Sequence, residues 1–272
     1  MSDVEPPQHG TEIRLHAISD GTFVARPSYF GAASGARPDV FSQDGAVVLP
    51  IGCFVARTAD RVVLVDAGLG PKRQQLPDGM ELRGGRLLAG LAALGTARDA
   101  ITDVVCTHLH SDHVGWVFDQ EGQPFFAAAA IWFGADDWAH FIDGPGEMDA
   151  HIRAGFRRCE GSTRLRPVRQ DTHIASGIRI VPTPGHTPGH LCIAIDSGEQ
   201  RTLLLGDAVT HPVQLEEPGW HSLGDVDADM ADRTRQHLWR QMEAPRVRGV
   251  GAHFPELGVG FVADGADRRW TT

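Results

Sequence analysis

Short apolar runs broken by Gly, Pro and small polar residues run along most of this chain, and their periods predict a mixed series of strands and helices. Glu12 to Ile18 reads as a strand that ends in a turn at Ser19-Asp20-Gly21. Residues 27–45, rich in Gly, Ala, Ser and Pro, read as a long loop or arm too polar for a core. AVVLPIGCFVAR, TAD and RVVLVDAG then predict a hairpin of two apolar strands. Leu87, Leu88, Leu91 and Leu94 have helical spacing within Gly84–Gly95, and Asp103 to Thr107 is a short buried strand. Ala127–Phe133 reads as a strand, Ala135–Ile142 as a helix begun near Gly134, and Glu147–Cys159 as a further helix. Ile178–Val181, His190–Ile195 and Thr202–Leu205 are three more strands, Asp229–Met242 is an amphipathic helix, and Val250–His253 and Val259–Val262 are late strands. Strand runs interleaved with helices argue a layered α/β domain. With no repeat and no linker in view, residues 11–272 are expected to form one domain after a loose tail at 1–10.

Composition narrows the function classes. At 272 residues and 42% hydrophobic, the chain can bury a large core. A formal charge of −10 repels polyanions, which argues against nucleic acid as a partner. The arginines at 153, 157, 158, 164, 166 and 169 read as the solvated face of a helix and the loop after it. Four cysteines, at 53, 106, 159 and 192, form no CxxC pair and are expected to be reduced, which suits the cytoplasm. No signal peptide and no membrane span are expected.

Fourteen histidines stand against this plain background. His108, His110, Asp112 and His113 fall in the stretch THLHSDH, directly after the strand at 103–107. Imidazole and carboxylate side chains are ligands for zinc and similar metals, and four of them in one loop can begin two coordination shells. Three other predicted strand ends can complete them: His186 in TPGHTPGH, Asp207 in LLLGDA and His253 in GAHFP. A metal pair sharing a carboxylate and a hydroxide is a route to hydrolysis at neutral pH without serine or cysteine. No Ser-His-Asp signature or phosphate-binding glycine loop competes with it.

Together the motifs VLVDAG, THLHSDHVG, TPGHTPGH, LLLGDA and GAHFP resemble the metallo-β-lactamase superfamily across roughly residues 12–263. The resemblance implies an αββα sandwich with a two-metal site at one edge. His108, His110 and His186 would bind one divalent ion, most simply Zn2+; Asp112, His113 and His253 would bind the second; Asp207 would bridge them. Asp112 and Asp207 would also serve catalysis, and Asp66 would orient the ligand loop. His190 is similar to a motif position that usually does not bind metal, and is expected to be structural, with a contact behind the metal ligands as the alternative.

Among the branches, a bridging Asp207 argues against true β-lactamases. Acyl-homoserine lactonases carry a tyrosine three residues past that aspartate, where this chain has Thr210; its one tyrosine, Tyr29, lies far away. The stretches around His16–Thr22, Val213–Pro218 and Ala252–Gly260 are similar to the methyl-parathion-hydrolase-like branch. The expectation is a dinuclear zinc hydrolase of a lactone or carboxylic ester, acting through a metal-bridging hydroxide. The alternatives are a phosphotriesterase, a β-lactam-hydrolysing side activity and a mono-iron thiol dioxygenase. A small molecule is the expected partner and a homodimer a further expectation. Trp116, Thr210 and Phe254 are the candidate pocket residues, with Phe30, Phe41, Phe118, Trp138 and Trp220 as further aromatic candidates and segment 27–45 as a cap or dimer arm.

Overall fold

The computed structural model describes residues 12–217, 219–263 and 268–272, so the expected tail at 1–10 lies outside the described residues. Eight strands form one sheet: β1 (Arg14–Ala25), β2 (Val47–Arg57), β3 (Val62–Val65), β4 (Arg73–Gln75), β5 (Glu81–Arg83), β6 (Asp103–Val105), β7 (Ala130–Gly134) and β8 (Leu165–Val168). Their order is β4-β5-β1-β2-β3-β6-β7-β8. The second sheet, in order β13-β12-β11-β10-β9, holds β9 (Thr172–Ala175), β10 (Ile178–Pro182), β11 (Leu191–Ser197), β12 (Gln200–Leu204) and β13 (Val247–Val250). A two-stranded ribbon of β14 (Phe261–Val262) and β15 (Trp270–Thr271) closes the chain. The helices are α1 (Leu87–Ala93), α2 (Ser111–Val114), α3 (Ala135–Asp137, running into a wider turn through Ile142), α4 (Ala150–Arg158), α5 (Val213–Glu216) and α6 (Ala228–Met242).

Alternation along the central strands builds the layers. Phe54, Ala56, Val63 and Val65 face the second sheet, where Ile178, Ile180, Ile193 and Leu203 meet them. Their neighbours Cys53, Val55 and Leu64 face the opposite way, against Leu87 and Leu91 of α1. Leu238, Trp239 and Met242 of α6 join the core of the five-stranded side. Helices on two packed sheets make the expected α/β sandwich of αββα type. All four cysteines are buried and free, and burial pushes the Cys192 thiol up to about 12. Among the described residues no helix is long and apolar enough to cross a membrane.

Two expected boundaries are corrected. The turn at Ser19-Asp20-Gly21 does not form: β1 runs on to Ala25 with a bulge between Ser19 and Gly21. The bulge drops Asp20 out of register, and its buried carboxylate takes five N–H donors, from Leu69, Gly70, Gly85, Leu87 and the Trp116 indole. The late strand expected at Val250–His253 is instead Val247–Val250, paired parallel with β12, which leaves His253 on the loop beyond it. The segment 27–45 is not excluded from the core: its short 3-10 turns bury Tyr29 and Phe30 against Phe23, Leu49 and Trp220.

Candidate metal centre and active site

Within each sheet the strands that lead to the site run parallel, so their C-terminal ends point the same way. The loops after β3, β6, β10, β12 and β13 carry Asp66, the His108–His113 stretch, His186, Asp207 and His253 to one place. Three groups there have ligand atoms within 4.8 Å of one another: His108, His110 and His186; His108, His113 and Asp207; and Asp112, His113 and His253. All seven side chains named from the motifs therefore converge. Asp207 lies between the halves, its Oδ2 3.7 Å from His186 Nε2 and 3.4 Å from His253 Nε2, and its Oδ1 3.6 Å from His113 Nε2. Asp112 reaches His253 Nε2 at 3.4 Å.

Hydrogen bonds behind the rings decide which nitrogen faces inward. Asp66 accepts from the Thr107 N–H at 2.7 Å, the Thr107 hydroxyl at 2.9 Å and His113 Nδ1 at 2.8 Å. The Thr107 hydroxyl spends its one hydrogen on Asp66, so at 3.1 Å it accepts from His108 Nδ1. His253 Nδ1 donates to the Pro50 carbonyl at 2.7 Å, and His186 Nδ1 lies 2.9 Å from Asp225 Oδ1. Each of these four rings thus carries its hydrogen outward and turns Nε2 toward the cluster, while His110 turns Nδ1 toward His186 at 3.1 Å. His108 Nε2, His113 Nε2 and Asp207 Oδ1 are buried with no hydrogen-bond partner among the described residues. Burial without partners is costly for such atoms. A divalent cation suits this donor set of imidazoles and carboxylates.

Charge divides the site. Burial, then the neighbouring histidines, hold His108 well below the ordinary imidazole range, and burial with His186 brings His110 down to about 3. That half presents neutral lone pairs. In the other half, burial pulls His113 down, but Asp66, Asp112 and Asp207 outweigh it and push the ring up to about 9. Burial likewise opposes the rise at His253, where Asp207 and Asp112 prevail. The carboxylates there demand a positive charge, which protons or a cation can supply.

His190 lies behind the cluster. Its Nε2 accepts from the backbone N–H groups of Asp207 and Ala208, both at 3.1 Å, and so anchors the loop that carries Asp207. Asp137, beneath the His186 loop, accepts from Gly189 N at 2.7 Å and the Thr187 hydroxyl at 3.1 Å. Burial pushes its carboxyl up to about 6. No spacing rule points to Asp20, Asp137 or Asp225, because each acts on residues 39 to 96 positions away.

A cavity of about 910 Å³ opens on the cluster, reaching His110, Asp112 and Asp207. Phe23, Tyr29, Leu76, Leu82 and Leu223 give it an apolar wall, and Lys72, Gln74 and Arg153 give it polar groups. The expected pocket residues are corrected. Trp116 does not line it, since its indole is held by Asp20 and its ring lies against Phe125. Phe254 is buried against Trp270. Thr210 is fully buried, bonded to Ser222 Oγ at 2.9 Å. Phe30, Phe41 and Trp220 cluster one layer behind Tyr29. Phe118 and Trp138 pack around Phe156. Arg153, expected in a solvated face, reaches the cavity wall while donating to the Ile142 and Gly146 carbonyls.

Tyr29 is the unanticipated resident of this wall. Its side chain lies beside Thr210, the residue three positions past Asp207. Burial, with Asp207 and Asp112 nearby, pushes the phenol well above its ordinary range. The tyrosine thus arrives from the arm rather than from the Asp207 loop.

Residues 47–268 match the family model described as the metallo-beta-lactamase superfamily, and the chain belongs to that superfamily. A probable metallo-hydrolase of Mycobacterium bovis is 28% identical over 240 residues, spanning 79% of this chain and 69% of the relative. An N-acyl homoserine lactonase of Bacillus thuringiensis is 23% identical over 170 residues, spanning 58% of this chain and 62% of the relative. The solved structure of AidC, a dizinc quorum-quenching lactonase in complex with a product, superposes with TM-score 0.79 at 23% identity, over 96% of this chain and 95% of its own. The hydrolase AbOPH superposes with TM-score 0.78 at 20% identity, over 97% and 98%.

Proposed function

We propose that this member of the metallo-beta-lactamase superfamily is a dinuclear zinc hydrolase that opens a lactone or cleaves a carboxylic ester. The observation that carries the reading is the convergence of seven ligand-type side chains, four of their five imidazoles capped from outside, beneath a cavity that reaches His110, Asp112 and Asp207. The lactonases among its relatives support the choice of bond. His108, His110 and His186 would hold one ion, Asp112, His113 and His253 the other, with Asp207 shared. Bound there, two divalent cations would supply Lewis acidity toward a carbonyl oxygen and ease the ionisation of water near neutral pH.

The chain's own groups do the rest. Asp112 and Asp207 stand at the cavity floor as acceptors for the proton that leaves the attacking water. Tyr29, held neutral, can donate its O–H to the carbonyl oxygen as that oxygen gains charge. Phe23, Leu76, Leu82 and Leu223 exclude water from the acyl portion of the substrate. The partner is accordingly a small molecule.

The test is a screen of zinc-loaded protein against acyl-homoserine lactones, aryl lactones, aryl esters, phosphotriesters and a β-lactam. Lactone or ester should give the highest kcat/KM, and chelator-stripped protein should be inactive. Full turnover without metal refutes the reading. A phosphotriester leading the series replaces it with the triesterase alternative, and stoichiometric iron with oxygen consumption on a thiol replaces it with the dioxygenase.

A further inference from the structure

Asp225 lies on the segment between α5 and α6, and none of the motifs includes it. Its Oδ2 accepts from the Ser222 N–H at 2.9 Å and from both terminal nitrogens of Arg235 at 3.3 Å. The side chains are 1% and 4% exposed, and Arg235 donates also to Asp232 at 2.6 Å. A buried ion pair contributes little net stability beside a well-packed apolar pair, so its presence here calls for another role. With Oδ2 taken, Oδ1 is left to His186 Nδ1 at 2.9 Å. A carboxylate only accepts, so His186 carries its hydrogen on Nδ1 and presents the Nε2 lone pair 3.1 Å from His110 Nδ1.

The same segment roofs the site. Val226 N–H donates to the His186 carbonyl at 2.9 Å, and Leu223 N–H to the Tyr29 carbonyl at 2.7 Å. A Cβ placed on Gly224 would lie 3.0 Å from His186 Cε1, so the backbone rests on that ring. Leu223, 59% exposed, lines the cavity. We propose that Asp225, braced by Arg235, is a positioning residue that fixes the His186 tautomer and ties the first metal position to the Leu223–Gly224 wall of the substrate cavity. The proposal rests on the metal-site reading above.

In Asp225→Asn the oxygen must stay with Arg235 and Ser222, which turns the amide N–H2 toward His186. The ring then accepts at Nδ1 and moves its hydrogen to Nε2, into the metal position. Zinc titration of the stripped wild type should show two tight equivalents. In the variant one stays tight and the other weakens about 10- to 100-fold, with KM raised through the loosened wall. Long-range 1H–15N NMR of the zinc-free wild type should place the His186 proton on Nδ1, a result independent of whether the variant folds. A variant that titrates like the wild type, or a wild-type proton on Nε2, overturns the proposal and leaves the hydrolase reading standing. A wild type that takes up no zinc overturns both.

Discussion

Replacing Asp20 by Asn tests whether one buried carboxylate staples the scaffold around the site. Its Oδ2 accepts from Leu69 N at 2.9 Å and Gly70 N at 3.2 Å; its Oδ1 accepts from Gly85 N at 3.2 Å, Leu87 N at 2.7 Å and Trp116 Nε1 at 3.0 Å. An amide has one acceptor oxygen. Its best orientation keeps the three Oδ1 bonds and sets N–H2 against the Leu69 and Gly70 donors. The Gly68 backbone packs close against this side chain, since a Cβ there would lie 2.4 Å from Asp20 Cγ. Two bonds to a charged acceptor are lost, at about 1.5–3 kcal/mol each, so the cost is about 3–6 kcal/mol. That is a large share of the 5–15 kcal/mol or so that typically holds a domain together. The assay is urea unfolding of zinc-loaded protein followed by tryptophan fluorescence. The loop beyond Gly70 carries Lys72 and Gln74 into the cavity, so KM should rise while zinc content stays at the wild-type level. A stability loss below about 1 kcal/mol would refute the staple.

Further outcomes follow from other groups. Tyr29→Phe should lower kcat/KM by about 100-fold with zinc content unchanged, as expected for loss of one preorganised donor; an unchanged rate removes Tyr29 from the chemistry. Asp66→Ala should remove the acceptor that holds the His113 hydrogen on Nδ1, weakening one zinc equivalent about 10- to 100-fold by titration; equal affinities would contradict the tautomer assignment. Asp137 has its folded pKa raised from 3.8 to about 6, so the native state binds the proton more readily than the unfolded chain. Its penalty is absent below about pH 4, grows between about 4 and 6, and is full above, at up to about 3 kcal/mol for roughly two units. In zinc-free protein, Asp137→Asn should therefore flatten the urea midpoint across that window and raise it at pH 7; parallel pH curves for the two proteins would show the assignment to be wrong.

The local pattern carried most of the elements because their causes are local. The continuous apolar runs of β2 and β3, buried on both faces, the leucine spacing in α1 and the amphipathic period of α6 each record local burial. The seven ligand-type residues were legible for a similar reason: each falls in a short motif that follows an apolar strand, β6, β10, β12 or β13. The turn misread at Asp20 shows the limit. Ser-Asp-Gly has turn chemistry, yet the chain stays extended because five distant donors give that carboxylate a better partner than its own backbone.

The sequence by itself determined the layered α/β class, the identity of the metal-capable side chains and the acidic net charge, since these depend on period, residue type and charge. Only the tertiary structure decided which nitrogen each imidazole turns inward, which aromatic residues reach the cavity, and that Tyr29 occupies the wall beside Asp207. Those choices depend on hydrogen bonds and packing between residues tens to hundreds of positions apart, such as His253 with the Pro50 carbonyl 203 residues away. No local propensity encodes such a contact; it exists only once the two sheets have closed on each other.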